Sequence, residues 1–260
     1  PGIGQLIALW GFHTDDIQAR LPDAAAIKAL LAQRPSIADV LVSEGPCPEP
    51  RSGEPKPPLS GRGAGGWCVN SRSNSVAIDF GGYLKGVALD RAAASLKRDG
   101  VANALINIGG NVMALGSRDG AGTAWRVGIQ HPRSQSVGGA PLATLELHDG
   151  EAIGTSGDYH RYFELNGRRY SHLLDPRTGE PAQGTQAITI LIAPGPSAGM
   201  RSDGLSKPVF IAAGQWREMA HKLDVEAVLK VGAGGTVSAT PAMQKRLKIE
   251  IPDLTLEVKP

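Results

Sequence analysis

Glycine and proline punctuate this chain too densely for a helical bundle: 34 glycines and 19 prolines among 260 residues break it into short apolar segments. Such a chain folds as short strands with turns between them, joined by a few helices. Its length allows one large domain or two small ones, with a sizeable core either way. Hydrophobic residues at 41% and charged ones at 20% are ordinary for a globular chain, so disorder is not expected. The 27 basic and 25 acidic residues nearly cancel, and no long basic run or interleaved aromatic stripe occurs, which argues against a nucleic-acid partner.

The longest apolar runs, such as 187–193, are far too short to cross a bilayer. No charged-then-apolar leader follows Pro1, so an export signal is expected to have been removed or never present. Cys47 and Cys68 lack metal-type spacing and either form a disulfide in an exported protein or stay free thiols.

In chain order, the spacing of Ile3, Leu6, Ile7 and Trp10 predicts a short amphipathic helix, with Trp10 and Phe12 as core residues. A second helix is predicted from Pro22-Asp23, with Pro22 near its first turn, ending before Pro35. Residues 45–66 are rich in proline and glycine and read as a surface loop or insertion. Trp67–Val69 and Val76–Asp79 read as two short strands around a turn at 70–74. The strand then ends in Gly81-Gly82, and a helix begins near Gly86 with Leu89 and Ala93 inward. Glycines before a helix N-terminus let a backbone approach phosphate, and Lys85 adds a point charge there, although such turns are also common connectors.

A buried strand at Ala104–Ile108 runs into Gly109-Gly110-Asn111, alternating patterns follow at 125–130, 142–147 and in the 161–174 hairpin, and 186–193 adds a β-branched run. The segment 197–211 contains a helix that puts Asp203, Ser206 and Lys207 on one face. After it come a helix at 216–222, a hairpin from 227–231 to 236–239 and a short helix near 243–247.

The densest polar chemistry lies at Glu151–Gly179. Gly154-Thr155-Ser156-Gly157-Asp158 reads as a small turn whose hydroxyls and backbone N–H groups close on a ligand. Asn166-Gly167 between alternating segments is the strongest short-range hairpin signal in the chain. That hairpin is expected to carry His172 and Asp175 back toward the Thr155-Ser156 turn; the bland reading of His172 is a strand histidine tied to Asp175.

Taken together, these pieces resemble the ApbE family of flavin transferases, the FAD:protein FMN transferases. The resemblance rests on Asp79–Asp90, on Asn107–Asn111, on Thr155–Tyr159 followed by Tyr170–Gly179, and on Trp10-Gly11-Phe12, in the family's order along essentially the whole chain. It implies one ApbE-like domain over residues 1–260, without the N-terminal segment that members usually carry. The implied fold is α/β (α+β), related to the T-fold, with mixed, antiparallel-rich sheets, flanking helices and an FAD cleft between sub-domains. The implied reaction moves FMN from FAD to a Ser or Thr hydroxyl of an acceptor protein, releasing AMP, with Mg²⁺ on the pyrophosphate.

By position, the resemblance makes Asp203 and the Leu84 carbonyl metal ligands and His172 the base toward the acceptor hydroxyl, with Asp175 and Lys207 beside the chemistry. Lys85, Asp90, Asn107, Gly109, Gly110, Thr155, Ser156, Gly157 and Asp158 would contact or border the flavin nucleotide. The implied acceptor belongs to a membrane electron-transfer or respiratory system, and the implied location is the bacterial periplasm. One departure stands out: Lys207 occupies the place of a threonine that usually helps hold the metal. An ammonium has no lone pair for a cation, so Lys207 is expected to weaken or replace the Mg²⁺ site. Two other readings are an FAD-binding assembly protein of the NosX-like branch, with little or no transfer, and a Mg-dependent FAD pyrophosphatase.

Overall fold

A computed structural model describes residues 2–45, 61–62, 66–134 and 140–259. In chain order they form α1 (Gly4–Leu9), α2 (Ala24–Ala32), β1 (Val40–Glu44), β2 (Gly61–Arg62), β3 (Trp67–Ser71), α3 (Leu84–Arg98), β4 (Ala104–Ile108), β5 (Asn111–Leu115), β6 (Trp125–Ile129), β7 (Ala143–Leu147) and β8 (Ala152–Gly157). The chain continues through β9 (Tyr162–Leu165), β10 (Arg168–Ser171), β11 (Thr185–Ile192), α4 (Ala198–Ile211), α5 (Trp216–Lys222), β12 (Ala227–Gly232), β13 (Val237–Ala239), α6 (Pro241–Gln244), β14 (Leu247–Ile249) and β15 (Leu256–Val258). It divides into two compact units, Pro1–Phe80 with Arg161–Pro181, and Gly81–His160 with Ala182–Pro260. None of the described helices is long and apolar enough to cross a membrane.

The first unit is built on an aromatic core. Leu6 and Trp10 of the α1 stripe join Phe12, Phe163 and Leu174, as the spacing predicts. Trp10 stacks with Phe163 and Tyr170 at 6.4 and 5.8 Å. α2 starts at Asp23, whose carboxylate accepts from the Ala25 N–H at 2.9 Å, so Pro22 precedes the cap instead of entering the first turn. The β9–β10 hairpin pairs Leu165 with Arg168 across Asn166-Gly167, both at positive φ (52° and 73°), the two-residue turn whose twist matches the strands.

A further expectation changes in this unit. Val76–Asp79 is not a strand; Ala77 makes only an isolated bridge to Ile3, and its carbonyl accepts from the Gly4 N–H at 2.7 Å. β3 instead pairs antiparallel with β1, a strand without a clear pattern of its own. The loop expected at 45–66 lies mostly outside the described residues. Cys68 is disulfide-bonded, which settles that alternative, and Cys47 lies outside the described residues.

Gly179 closes the loop after β10 with φ 72°, and its carbonyl accepts from Trp10 Nε1 at 2.7 Å. A methyl at Gly179 would sit 2.6 Å from Ile27 Cγ2 and hold a left-handed backbone. We predict that Gly179→Ala lowers stability by about 1–3 kcal/mol from strain and overpacking together. An unchanged urea midpoint would refute this.

The second unit holds a seven-stranded sheet in the order β15-β13-β12-β11-β8-β5-β4, antiparallel except for β13–β15, and a three-stranded sheet β14-β7-β6. Residues of both sheets, including Val112, Leu145, Leu191 and Leu229, share one apolar core. α4 packs on β8 and β11, and α3 packs on α4. β11 is buried at all eight positions, which is why its sequence runs nearly apolar without alternation.

Here too the structure departs from the sequence reading. β4, expected to be buried, is the sheet's edge and alternates, with Leu105 and Asn107 exposed; the buried strand is its neighbour β5. Gly109 and Gly110, at φ 57° and 87°, form the two-residue β4–β5 turn. The supposed turn at 154–158 is largely the end of β8, paired with β11 through Gly157. Gly154 is glycine because α4 lies against it: an added methyl would overlap the Ser202 carbonyl and come 2.9 Å from the Asp203 nitrogen. The last helix comes earlier than expected, at α6, where Thr240 caps it and Pro241 fits its first turn.

Candidate functional site

In the second unit, Lys85, Asp90, Ser156, Asp203 and Lys207 come together where α3 crosses α4, whereas Thr155 and Asp158 bond elsewhere. The crossing is possible because Gly86 and Gly199 face each other; a methyl on Gly86 would overlap the Gly199 carbonyl, and one on Gly199 would come 2.6 Å from the Gly86 carbonyl. Asp90, expected near the cofactor, caps α4 from α3. Its oxygens accept from the Gly199 and Met200 N–H groups at 2.8 and 2.9 Å, in place of Ser197, whose side chain makes no cap bond.

Asp203 is fully buried on α4. Its Oδ2 accepts from the Gly86 N–H at 3.0 Å, and its Oδ1 accepts from Lys207 Nζ, which also donates to the Asp203 carbonyl at 2.8 Å. Ser206, on the same face, donates to the Asp203 carbonyl and shares a hydrogen bond with Ser156 Oγ, both at 2.7 Å. This links β8 to α4 directly. Burial pushes the Lys207 pKa down, the Asp203 carboxylate opposes that shift, and Lys85 adds to it by repulsion.

Lys85, in the first turn of α3 beside Leu84, reaches the Gly109 carbonyl at 3.4 Å, so the β4–β5 turn borders the same place. Asn107 braces that turn by accepting from the Gly110 N–H at 3.0 Å. His160 is held below its ordinary pKa by burial and then by Lys85, which keeps its ring neutral near pH 7. On the other face of β8, the Thr155 hydroxyl meets that of Thr189 at 2.9 Å and its N–H donates to Asn111 Oδ1 at 3.3 Å. Asp158, just past Gly157, takes both arms of the Arg133 guanidinium at 2.6 and 2.7 Å.

The donors do not suit a divalent cation. Magnesium needs several oxygen ligands in near-octahedral array, whereas both Asp203 oxygens are engaged, one of them by an ammonium. Among the described residues no group of three or more His, Cys, Asp or Glu could hold a metal ion. Leu84 is half-exposed at the start of α3 and offers at most a carbonyl.

In the first unit, His172 follows β10. Its Nδ1 lies 3.1 Å from the Arg161 carbonyl, which can only accept, so Nδ1 carries the proton and the neutral ring keeps its lone pair on Nε2. Arg161 is itself fixed by donating to the Phe12 and Thr14 carbonyls at 2.6 and 3.0 Å, and the Phe12 ring meets the imidazole edge-on. Asp175 does not pair with His172. It binds Arg177, whose side-chain hydrogen bond holds the Asp175 pKa below its ordinary value, and its carbonyl accepts from the Gly179 N–H at 2.8 Å. Its visible work is to close the 175–180 turn.

The model of the ApbE family matches residues 1–229. The chain belongs to the ApbE family. An ApbE protein from Thermotoga maritima superposes with a TM-score of 0.74 at 30% identity, over 95% of this chain and 71% of that one. The apo flavinyl transferase ApbE of Pseudomonas stutzeri gives 0.68 at 28% identity, over 94% and 67%. A Rhodobacter capsulatus FAD:protein FMN transferase is 34% identical over 249 residues, 95% of this chain and 42% of that protein. The chain spans about half the length of the curated relatives it matches. Within this ApbE chain, sequence reasoning missed Arg133, Asn111, Thr189 and His160. Arg133 and Thr189 lie 25 and 34 residues from the side chains they bind, beyond any local pattern. His160 adjoins the Thr155–Tyr159 motif, and only tertiary packing brings Lys85 to it.

Proposed function

We propose that this chain binds FAD and transfers its FMN portion to a Ser or Thr hydroxyl of an acceptor protein. The observation that carries the reading is the family match over residues 1–229, which takes in both the Thr155–Gly179 motif and the Asp203 helix. The acceptor oxygen attacks the FMN-side phosphorus, the bond from that phosphorus to the AMP oxygen breaks, and AMP leaves. The hydroxyl proton goes to His172 Nε2. Lys85 and Lys207 offset the pyrophosphate charge, in a reaction that asks the protein chiefly for positioning and electrostatics. Thr155, Ser156, Gly157, Asp158, Asn107, Gly109 and Gly110 border the nucleotide, largely by shaping the backbone around it. Magnesium is the cation the family resemblance implies; the donors described above do not fit it, and no step is assigned to it.

The disulfide at Cys68 supports the bacterial periplasm as the location, since disulfides persist in oxidising compartments. The acceptor would then be an exported or membrane-bound electron-transfer protein. Incubation with FAD and a protein carrying a flavinylation threonine is expected to yield an FMN mass adduct and AMP. Free FMN with AMP would mark a pyrophosphatase, and FAD retained without turnover an assembly protein; either result without adduct would reject the transferase reading.

A further inference from the structure

We propose that the Lys207 ammonium, tethered by the Asp203 carboxylate, is the cation that meets the flavin pyrophosphate in this chain, so that FAD is bound without a divalent metal. The inference rests on the FAD reading above and deepens it. Asp203 behaves as a scaffold carboxylate: fully buried, it spends one oxygen on the Gly86 N–H and the other on Lys207. A dication at this carboxylate would have to displace Nζ or share an oxygen with it, and like charges at such range repel strongly in a buried setting. Lys207 is also held by the Asp203 carbonyl at 2.8 Å, so its ammonium is fixed at two points.

The local arrangement of ammoniums favours an anion. Two ammoniums, Lys85 and Lys207, lie near enough to repel each other. Asp203 pairs with one of them, Lys207. Lys85 has no carboxylate partner among the described residues and reaches only the Gly109 carbonyl at 3.4 Å. Asp90, at the same crossing, is held by the α4 N–H groups, which leave its charge in place. A pyrophosphate would reach Lys85 without displacing any carboxylate among the described residues.

The test is equilibrium FAD binding, read by quenching of flavin fluorescence, in EDTA and in excess MgCl₂. Wild type is expected to bind FAD in EDTA and to change affinity by less than about twofold with Mg²⁺. Lys207→Thr should bind at least about tenfold more weakly in EDTA, the loss of one charge-assisted contact, and recover with Mg²⁺. Lys207→Arg should stay indifferent to Mg²⁺, and thermal melts would verify that both variants fold. Tightening of wild type by about tenfold or more on adding Mg²⁺ would overturn the proposal while leaving the FAD reading intact. No FAD binding by wild type in either condition would overturn the FAD reading, and this proposal with it.

Discussion

Replacing His172 with alanine is expected to slow FMN-adduct formation by about 10²–10⁴-fold, the range a positioned general base contributes, with FAD affinity unchanged. An alcohol must lose its proton as its oxygen bonds to phosphorus, and a neutral imidazole with a fixed lone pair is suited to take it. The structure sets the tautomer: the Arg161 carbonyl at 3.1 Å can accept only from a protonated Nδ1, so in the neutral ring the lone pair lies on Nε2. The ring is oriented in advance, since Arg161 is anchored to the Phe12 and Thr14 carbonyls and the Phe12 ring packs on the imidazole edge. Single-turnover adduct formation followed by mass spectrometry separates this step from binding. The acid limb of the wild-type pH–rate profile should vanish in His172→Ala. A variant rate within about threefold of wild type would exclude the base role, and a parallel fall in FAD affinity would make His172 a binding group.

The second large effect is structural. Gly154→Ala should destabilise the protein by about 3 kcal/mol, the upper end of overpacking costs. For a unit of this size that corresponds to a fall in Tm of roughly 6–12 °C. The added methyl meets backbone atoms, the Ser202 carbonyl and the Asp203 nitrogen, so no rotamer change can relieve it. Either α4 lifts from β8 or β8 distorts; both move Asp203 and Lys207, so FAD affinity should fall together with stability. Gly234→Ala is the control, because a methyl there meets nothing within 4 Å and should shift Tm little. A Tm for Gly154→Ala matching that control would show that the strand does not need glycine there.

The expected effects separate what local sequence encodes from what packing adds. The Asn166-Gly167 hairpin was legible because only residues tolerant of positive φ suit that turn, and the α1 stripe because helical spacing gathers its apolar residues. The face shared by Asp203, Ser206 and Lys207 was legible for the same reason: their spacing of three and four residues sets neighbours on any helix. The motif order along the chain pointed to the family, since each motif is a contiguous run.

Glycine was the residue most open to misreading. Gly154 and Gly157 suggested a ligand-binding turn, yet Gly154 serves a strand lying under a helix, and Gly86 serves a helix crossing. A missing side chain looks the same in sequence whether it makes room for a ligand, a left-handed turn or another backbone. Asp90 likewise suggested a cofactor contact by position, while its partners are amides 109 and 110 residues away.

The sequence by itself determined the strand-and-turn character of the chain, its hairpins and helix faces, and the motifs that place it in the ApbE family. These depend on backbone preferences and spacings of a few residues. Only the tertiary structure decided that Asp175 pairs with Arg177 instead of His172, that β4 is an edge, and that Asp203 is already occupied by Gly86 and Lys207. The physical reason is that burial and electrostatic pairing are properties of atoms brought together in space. A carboxylate's role as metal ligand or scaffold is fixed by what reaches its oxygens after folding.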